Sequence, residues 1–203
     1  MLIKVCGMRE VENIRDVSSL EINFMGFIFF RGSKRYIEQI PVDIPAKIKK
    51  VGVFVNHETE ELIETAKKNS LDYIQLHGDE DKNYCLKITA EGFKIIKVFR
   101  VDEDFNFELT KPFEEVSDYF LFDTKAKDYG GTGKKFNWAI LQQYQGSVPF
   151  LLSGGISGDD HVQINNIRHK RFSGIDLNSR FEIKPALKDF EKIYSFINKV
   201  KRI

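Results

Sequence analysis

Eight short apolar runs recur along this chain at nearly even spacing, and that rhythm limits the fold more than any other feature. They are Leu2–Cys6, Phe24–Phe29, Lys50–Val55, Tyr73–Leu76, Lys94–Phe99, Tyr119–Phe122, Pro149–Leu152 and Gly174–Leu177. Most are continuous rather than alternating, as expected of strands covered on both faces. Segments of helical period separate them. Glu10–Leu20 spaces Val11, Ile14, Val17 and Leu20 about three apart, Glu58–Asn69 carries Leu62, Ile63 and Ala66 on one stripe, and Asp81–Glu91 offers Tyr84, Cys85 and Ile88. Pro185–Val200 repeats the pattern with Leu187, Phe190, Ile193, Tyr194 and Ile197, and Phe136–Tyr144 reads as a shorter helix. Residues 100–116 are poorly patterned and read as a long loop with at most one helical turn. Eightfold strand–helix alternation implies a parallel sheet, and eight units imply closure. The fold class is therefore α/β, a single (β/α)8 TIM barrel spanning residues 1–203, with a doubly wound open sheet as the competing architecture.

A length of 203 residues suits one domain and is at the small end for such a barrel. With 31 basic and 30 acidic residues the net charge is +1, which gives no electrostatic reason to expect a nucleic-acid or membrane partner. The two cysteines, Cys6 and Cys85, read as free thiols of a reducing compartment rather than a disulfide framework. The chain starts directly on a strand, without a basic-then-apolar leader, and no apolar run is long enough to cross a bilayer, so the expected location is cytoplasmic. No apolar stripe stands out as exposed, so a monomer is expected, with a homodimer as the alternative.

Chemistry gathers at the strand ends. Cys6 closes the first strand ahead of Gly7. A strand cysteine is usually a small buried hydrophobe, but the last residue of a barrel strand points into the catalytic face. There a thiolate acts as a base if positive charge or backbone amides lower its pKa from about 8.5, and Lys4 and Arg9 are near in sequence. Asp123 closes the sixth strand at the same face. It reads either as a loop carboxylate paired with Lys125 or Lys127 or, partly buried and protonated, as a general acid. A thiol base and a carboxylic acid on different strands form a proton-transfer pair rather than a hydrolytic triad.

Ser153-Gly154-Gly155-Ile156 and Asp176-Leu177-Asn178-Ser179 follow the seventh and eighth strands, where barrel loops bind phosphate through backbone N–H groups. A small phosphorylated molecule is thus the expected partner. The loop Lys125–Lys135, with Gly130-Gly131-Thr132-Gly133-Lys134, lacks Walker A spacing and reads as a mobile lid or a solvated loop. Arg35, after the second strand, offers a bidentate fork for a carboxylate, against the bland reading of a surface arginine. His77, at the end of the fourth strand, either lines the pocket or is structural. His57, His161 and His169 have no metal-ligand spacing, so no metal is assigned.

These motifs, in this order, resemble the phosphoribosylanthranilate isomerase family of tryptophan biosynthesis. The resemblance runs almost end to end, through Lys4-Val5-Cys6-Gly7, Gly26-Phe27-Ile28-Phe29 with Ser33 and Arg35-Tyr36, and Val51-Gly52-Val53-Phe54-Val55-Asn56. It continues in Gln75-Leu76-His77-Gly78, Phe122-Asp123-Thr124, Gly130-Gly131-Thr132-Gly133-Lys134-Lys135-Phe136, Ser153-Gly154-Gly155-Ile156 and Gly174-Ile175-Asp176. It implies a barrel of the ribulose-phosphate-binding type and an Amadori rearrangement of an aminoaldose to an aminoketose without a cofactor. It also implies Cys6 as general base, Asp123 as general acid and Arg35 near the anthranilate carboxylate. His77, Gly154, Gly155, Asp176, Asn178 and Ser179 complete the expected substrate-binding set, with the phosphate held after strands seven and eight.

One position departs from the family's pattern. After the eighth strand the family usually reads Ser-Ser-Gly-Val-Glu, whereas this chain has Asn178-Ser179-Arg180-Phe181-Glu182. Left-handed backbone at Arg180 would cost about 1 kcal/mol relative to glycine. Arg180 either pairs with the phosphate directly or faces solvent. Three other readings compete. The related histidine-pathway isomerase is a duplicated half-barrel with aspartate at the end of strand one, but this chain has Cys6 and a single Ser-Gly-Gly-Ile. Indole-3-glycerol-phosphate synthase would want a lysine acid and a longer chain. A non-catalytic phosphate-binding barrel, serving as sensor or scaffold, would bind ligand without turnover.

Overall fold

The computed structural model describes residues 1–125 and 135–200. Eight parallel strands close into a barrel in chain order: β1 (Leu2–Cys6), β2 (Phe24–Ile28), β3 (Lys49–Phe54), β4 (Tyr73–Leu76), β5 (Lys94–Val101), β6 (Tyr119–Thr124), β7 (Phe150–Leu152) and β8 (Phe172–Leu177). β8 returns to pair with β1, setting Lys4 level with Asp176, while on the other edge Cys6 is level with Gly26 of β2.

Alternation along the strands sorts the buried side chains into separate layers. The larger core, including Ile3, Val5, Met25 and Phe27, lies between the sheet and its outer cover. Inside the barrel, Phe24, Val51, Tyr73, Ile96, Val98, Leu121 and Leu151 form an apolar plug, with Phe24 meeting Tyr73 edge-on at 5.3 Å. Cys6, Ile28 and Val53 form a smaller cluster. Lys4, Gln75, Ser153 and Asp176 are also buried, so polar side chains share the barrel interior with the plug.

The outer layer is less regular than the sequence rhythm suggests. α1 (Val11–Ser18), α2 (Thr59–Lys68) and α3 (Lys82–Ala90) fall inside the expected segments. α2 has Glu60 and Glu61 in its first turn and Lys67 and Lys68 in its last, which complements the helix dipole. The alternation is not eightfold, however, because residues 29–48 join β2 to β3 without a helix. Phe107–Phe113 forms seven residues of 3-10 helix where one turn was the expected limit, and 136–144 reduces to a 3-10 segment, Trp138–Gln143. A short helix, α4 (His161–Asn165), precedes β8 and has no clear apolar stripe in sequence.

The segment read as one helix from Pro185 divides in two. Residues 182–188 form a hairpin of β9 (Glu182–Lys184) and β10 (Leu187–Lys188), with Ala186 at φ +68 in its turn. Only then does α5 (Phe190–Val200) begin, with the Asp189 carboxylate accepting from Lys192 N. Leu187 continues the helical spacing by coincidence. The hairpin buries Ala186 in its turn and gives the Lys188 backbone N–H and C=O a partner in Asn13 of α1, ties that a helix through these residues would break.

Candidate active site

Cys6 lies at the barrel mouth with its side chain directed inward. A Cβ on Gly26 would stand 2.7 Å from its Sγ, so the absence of a side chain on β2 makes the thiol's room. Gly7 (φ +77) then turns the chain away. A Cβ there would meet Arg35 Cδ at 2.6 Å and Asn178 Oδ1 at 3.0 Å. Glycine therefore lets the loops after β2 and β8 close beside the thiol.

A dense charge network surrounds this side. Lys4 Nζ donates to Asp176 Oδ1 at 2.9 Å, with the lysine fully buried and the carboxylate 6 % exposed, and Ser153 Oγ donates to Asp176 Oδ2 at 3.3 Å. Arg35 donates through Nε and Nη2 to both oxygens of Glu182, at 2.8 and 2.6 Å. Lys188 Nζ donates to Glu182 Oε1 and to Asn178 Oδ1, each at 2.7 Å. Asn13 of α1 clamps the Lys188 backbone through both its N–H and its C=O.

Burial is the largest influence on the Cys6 thiol and pushes its pKa up. Lys4 and Lys188 pull it down and Asp176 opposes them, so the value stays above the ordinary thiol range rather than below it. This corrects the expectation of a lowered thiol pKa; desolvation outweighs the cations. Arg9 takes no part, since it bonds Glu10 and the Lys34 carbonyl. Burial alone would lower Lys4, but Asp176 and Cys6 more than offset it and hold the ammonium charged. Burial brings Lys188 down to about 8 despite Glu182.

Asp123 occupies the opposite side. Its Oδ1 accepts from Thr124 N at 2.8 Å, and its Oδ2 lies 3.4 Å from His77 Nε2. Gln75 Nε2 stands 3.1 Å from His77 Nδ1. The Gln75 amide and the Asp123 carboxylate thus hold the imidazole from its two ring nitrogens. Behind His77, Glu80 takes Lys97 Nζ at 2.9 Å and the N–H groups of Asn56 and Gly78, which fixes the loop after β4. Neither His77's link to Asp123 nor Lys188's link to Asn178 could be read from local sequence.

The loops after β7 and β8 complete the mouth. Gly154 and Gly155 both have left-handed backbone, at φ +89 and +66. A Cβ on Gly154 would run into Thr124 Oγ1 and stand 3.0 Å from Asp123 Oδ1, so this glycine allows the β7 loop to pack on the acid. Ser179–Phe181 forms a 3-10 turn closed by Phe181 N on the Asn178 carbonyl at 3.0 Å. Arg180 is exposed and is not among the residues of positive φ, so its replacement of glycine carries no left-handed strain. Asp176 lies beneath this surface in its lysine pair. The expected lid falls largely on residues 126–134, outside the described residues. Its flanks are tied down by Lys125 to Asp102 (2.5 Å) and Lys135 to Asp160 (2.6 Å). Among the described residues, no three His, Cys, Asp or Glu side chains are grouped to hold a metal.

An inward thiol and an inward carboxylate on different strands, flanked by glycine loops, have the layout of a barrel isomerase working by acid–base catalysis. Residues 3–199 match the family model described as N-(5'-phosphoribosyl)anthranilate (PRA) isomerase. An N-(5'-phosphoribosyl)anthranilate isomerase from Parabacteroides distasonis is 50 % identical over 206 residues, covering 98 % of this chain and 93 % of that protein. The crystal structure of phosphoribosyl anthranilate isomerase from Thermotoga maritima superposes with a TM-score of 0.88 at 33 % identity, with full coverage of both chains. A further isomerase structure, in complex with reduced 1-(o-carboxyphenylamino)-1-deoxyribulose 5-phosphate, gives 0.85 at 30 % identity, again over both whole chains. The chain belongs to the N-(5'-phosphoribosyl)anthranilate isomerase family.

Proposed function

We infer that the chain converts N-(5-phosphoribosyl)anthranilate into 1-(2-carboxyphenylamino)-1-deoxyribulose 5-phosphate, the Amadori step of tryptophan biosynthesis. The observation that carries this reading is the placing of Cys6 and Asp123 on β1 and β6 at one barrel mouth, within a chain that matches the family along nearly all its length. A protonated Asp123 gives its proton to the furanose ring oxygen, and the ring opens to a Schiff base. Ionised Cys6 takes the proton from C2 of the sugar, and the resulting enolamine tautomerises to the ketone. Both steps are proton transfers with no net redox change.

The binding roles follow the same layout. Gly154 and Gly155, with the turn that opens at Asn178 and Ser179, take the phosphate through backbone amides. Because Glu182 occupies Nε and Nη2 of Arg35, the substrate carboxylate is met by Nη1 instead of the full fork. His77 steadies Asp123 beside the sugar, and Asp176 acts from below through Lys4. We propose a cytoplasmic location and a monomeric working form; for the second, the exposed large apolar side chains Met1, Leu86, Leu109, Val162, Ile183 and Tyr194 stand on different segments.

The test is the decay of anthranilate-type fluorescence when protein is added to freshly generated phosphoribosylanthranilate, with Cys6→Ala in parallel. Fast decay with the parent and none with the variant is expected. Phosphate-ligand binding without turnover in the parent would favour the sensor or scaffold.

A further inference from the structure

The mechanism needs an ionised Cys6, yet burial opposes ionisation. Three cationic side chains and two carboxylates pack around this thiol: Lys4 from β1, Asp176 from β8, Arg35 from the loop after β2, and Glu182 and Lys188 from the hairpin. With Cys6 protonated, this buried group carries one uncompensated positive charge; with Cys6 ionised, it is neutral. Asp123 and His77 face one another across the mouth on β6 and the end of β4 and belong to the acid's side.

The three cations are not equivalent. Arg35 is engaged in a two-point fork with Glu182, and Lys188 is shared between Glu182 and Asn178. Lys4 stands two residues below Cys6 on the same inward face of the same strand and has one carboxylate partner, Asp176, at 2.9 Å. An ammonium donates three hydrogen bonds, and the one to Asp176 leaves Lys4 with capacity on the face it shares with Cys6.

We propose that Lys4, held in place by Asp176, is the positioning residue that supports the Cys6 thiolate from inside the barrel, without contacting substrate. The proposal rests on the isomerase reading and adds the origin of its base. In the fraction of molecules that ionise before substrate arrives, the thiol proton leaves to solvent at the mouth. That thiolate is held by the Lys4 ammonium and receives the C2 proton in the reaction. Asp176 keeps Lys4 charged in a site that would otherwise discharge it. Its carboxylate therefore serves the base from below, although it costs the thiol some stabilisation directly.

The experiment follows alkylation of Cys6 by iodoacetamide against pH, in substrate-free protein carrying Cys85→Ala so that one thiol reports. Lys4→Gln keeps a hydrogen bond to Asp176 but removes the charge. Its alkylation inflection is expected at least one pH unit above that of the single-thiol parent, with kcat/KM at neutral pH lower by tenfold or more. Lys4→Arg is expected to restore the parental inflection, and Lys188→Met to move it less than Lys4→Gln does. An unshifted inflection in folded Lys4→Gln, or a larger shift in Lys188→Met, overturns the proposal. If Lys4→Gln does not fold, Lys4→Arg decides, and a displacement of one unit or more in that variant contradicts the role. Because the thiol titration needs no substrate, failure of this idea is separable from failure of the isomerase reading, which would appear as a parent without turnover.

Discussion

Two buried lysine–carboxylate pairs, each with an N–O distance of 2.9 Å, lie on either side of this barrel and serve different ends. Lys4–Asp176 lies inside the strand ring on the side of the thiol, where its field reaches the reacting groups. Lys97 of β5 points the other way, since its neighbours Ile96 and Val98 belong to the interior plug, and it meets Glu80 behind the sheet. Glu80 also takes the Asn56 and Gly78 amides, so that pair fixes backbone. The base side is built from charge, whereas the acid side has Asp123, one histidine and close glycine packing. Strand alternation decides which use a buried ion pair can serve.

The largest effects should come from the two ends of the reaction. Cys6→Ala and Asp123→Asn are each expected to lower kcat by at least about a hundredfold. Affinity for a phosphorylated product analogue should stay nearly parental in both, as measured by calorimetry. Lost binding with retained turnover would reverse both assignments. Lys97→Met then separates the two ion pairs. It leaves Glu80 buried and unpaired, so denaturant unfolding should show a loss of about 3 kcal/mol. The Cys6 alkylation profile should not move.

Acid should loosen the base side through its hairpin. Burial would raise the Glu182 carboxyl, but Arg35 and Lys188 outweigh it and hold the folded pKa below the ordinary 4.5. The stability from this group is therefore present above about pH 4.5 and is lost as pH falls through the lower folded value. Glu182→Gln should remove that part of the pH dependence of the unfolding midpoint. It should also raise KM more than it lowers kcat, since Arg35 loses the carboxylate that holds its guanidinium in place. His77→Asn should have the smallest effect, about tenfold in kcat, the equivalent of one good hydrogen bond. A larger loss there than in Asp123→Asn would move the acid to the histidine.

Much of this plan could be read from the chain. Uninterrupted apolar runs placed Cys6 and Asp123 at strand ends because a strand's side-chain period leaves few choices. The outer cover was less legible. The α4 sequence His161–Asn165 has no stripe to reveal it, and residues 29–48 join β2 to β3 without a helix. The hairpin at 182–188 was hidden for another reason. Its contacts are long-range, Glu182 meeting Arg35 across 147 positions, while local spacing matched a helix. The same holds for the base's surroundings, where Lys4 and Asp176 are 172 residues apart and meet only when β8 closes on β1. Sequence could place the thiol, but its desolvation depends on the closed barrel, so the direction of its pKa shift was not available.

Deuterium at C2 of the sugar tests the account most directly. In single-turnover decay of phosphoribosylanthranilate fluorescence, the parent should handle the deuterated substrate more slowly than the protonated one, and Cys6→Ala should leave both unreacted. Equal rates with the two substrates, together with fast decay in Cys6→Ala, would contradict Cys6 as the base that takes the C2 proton.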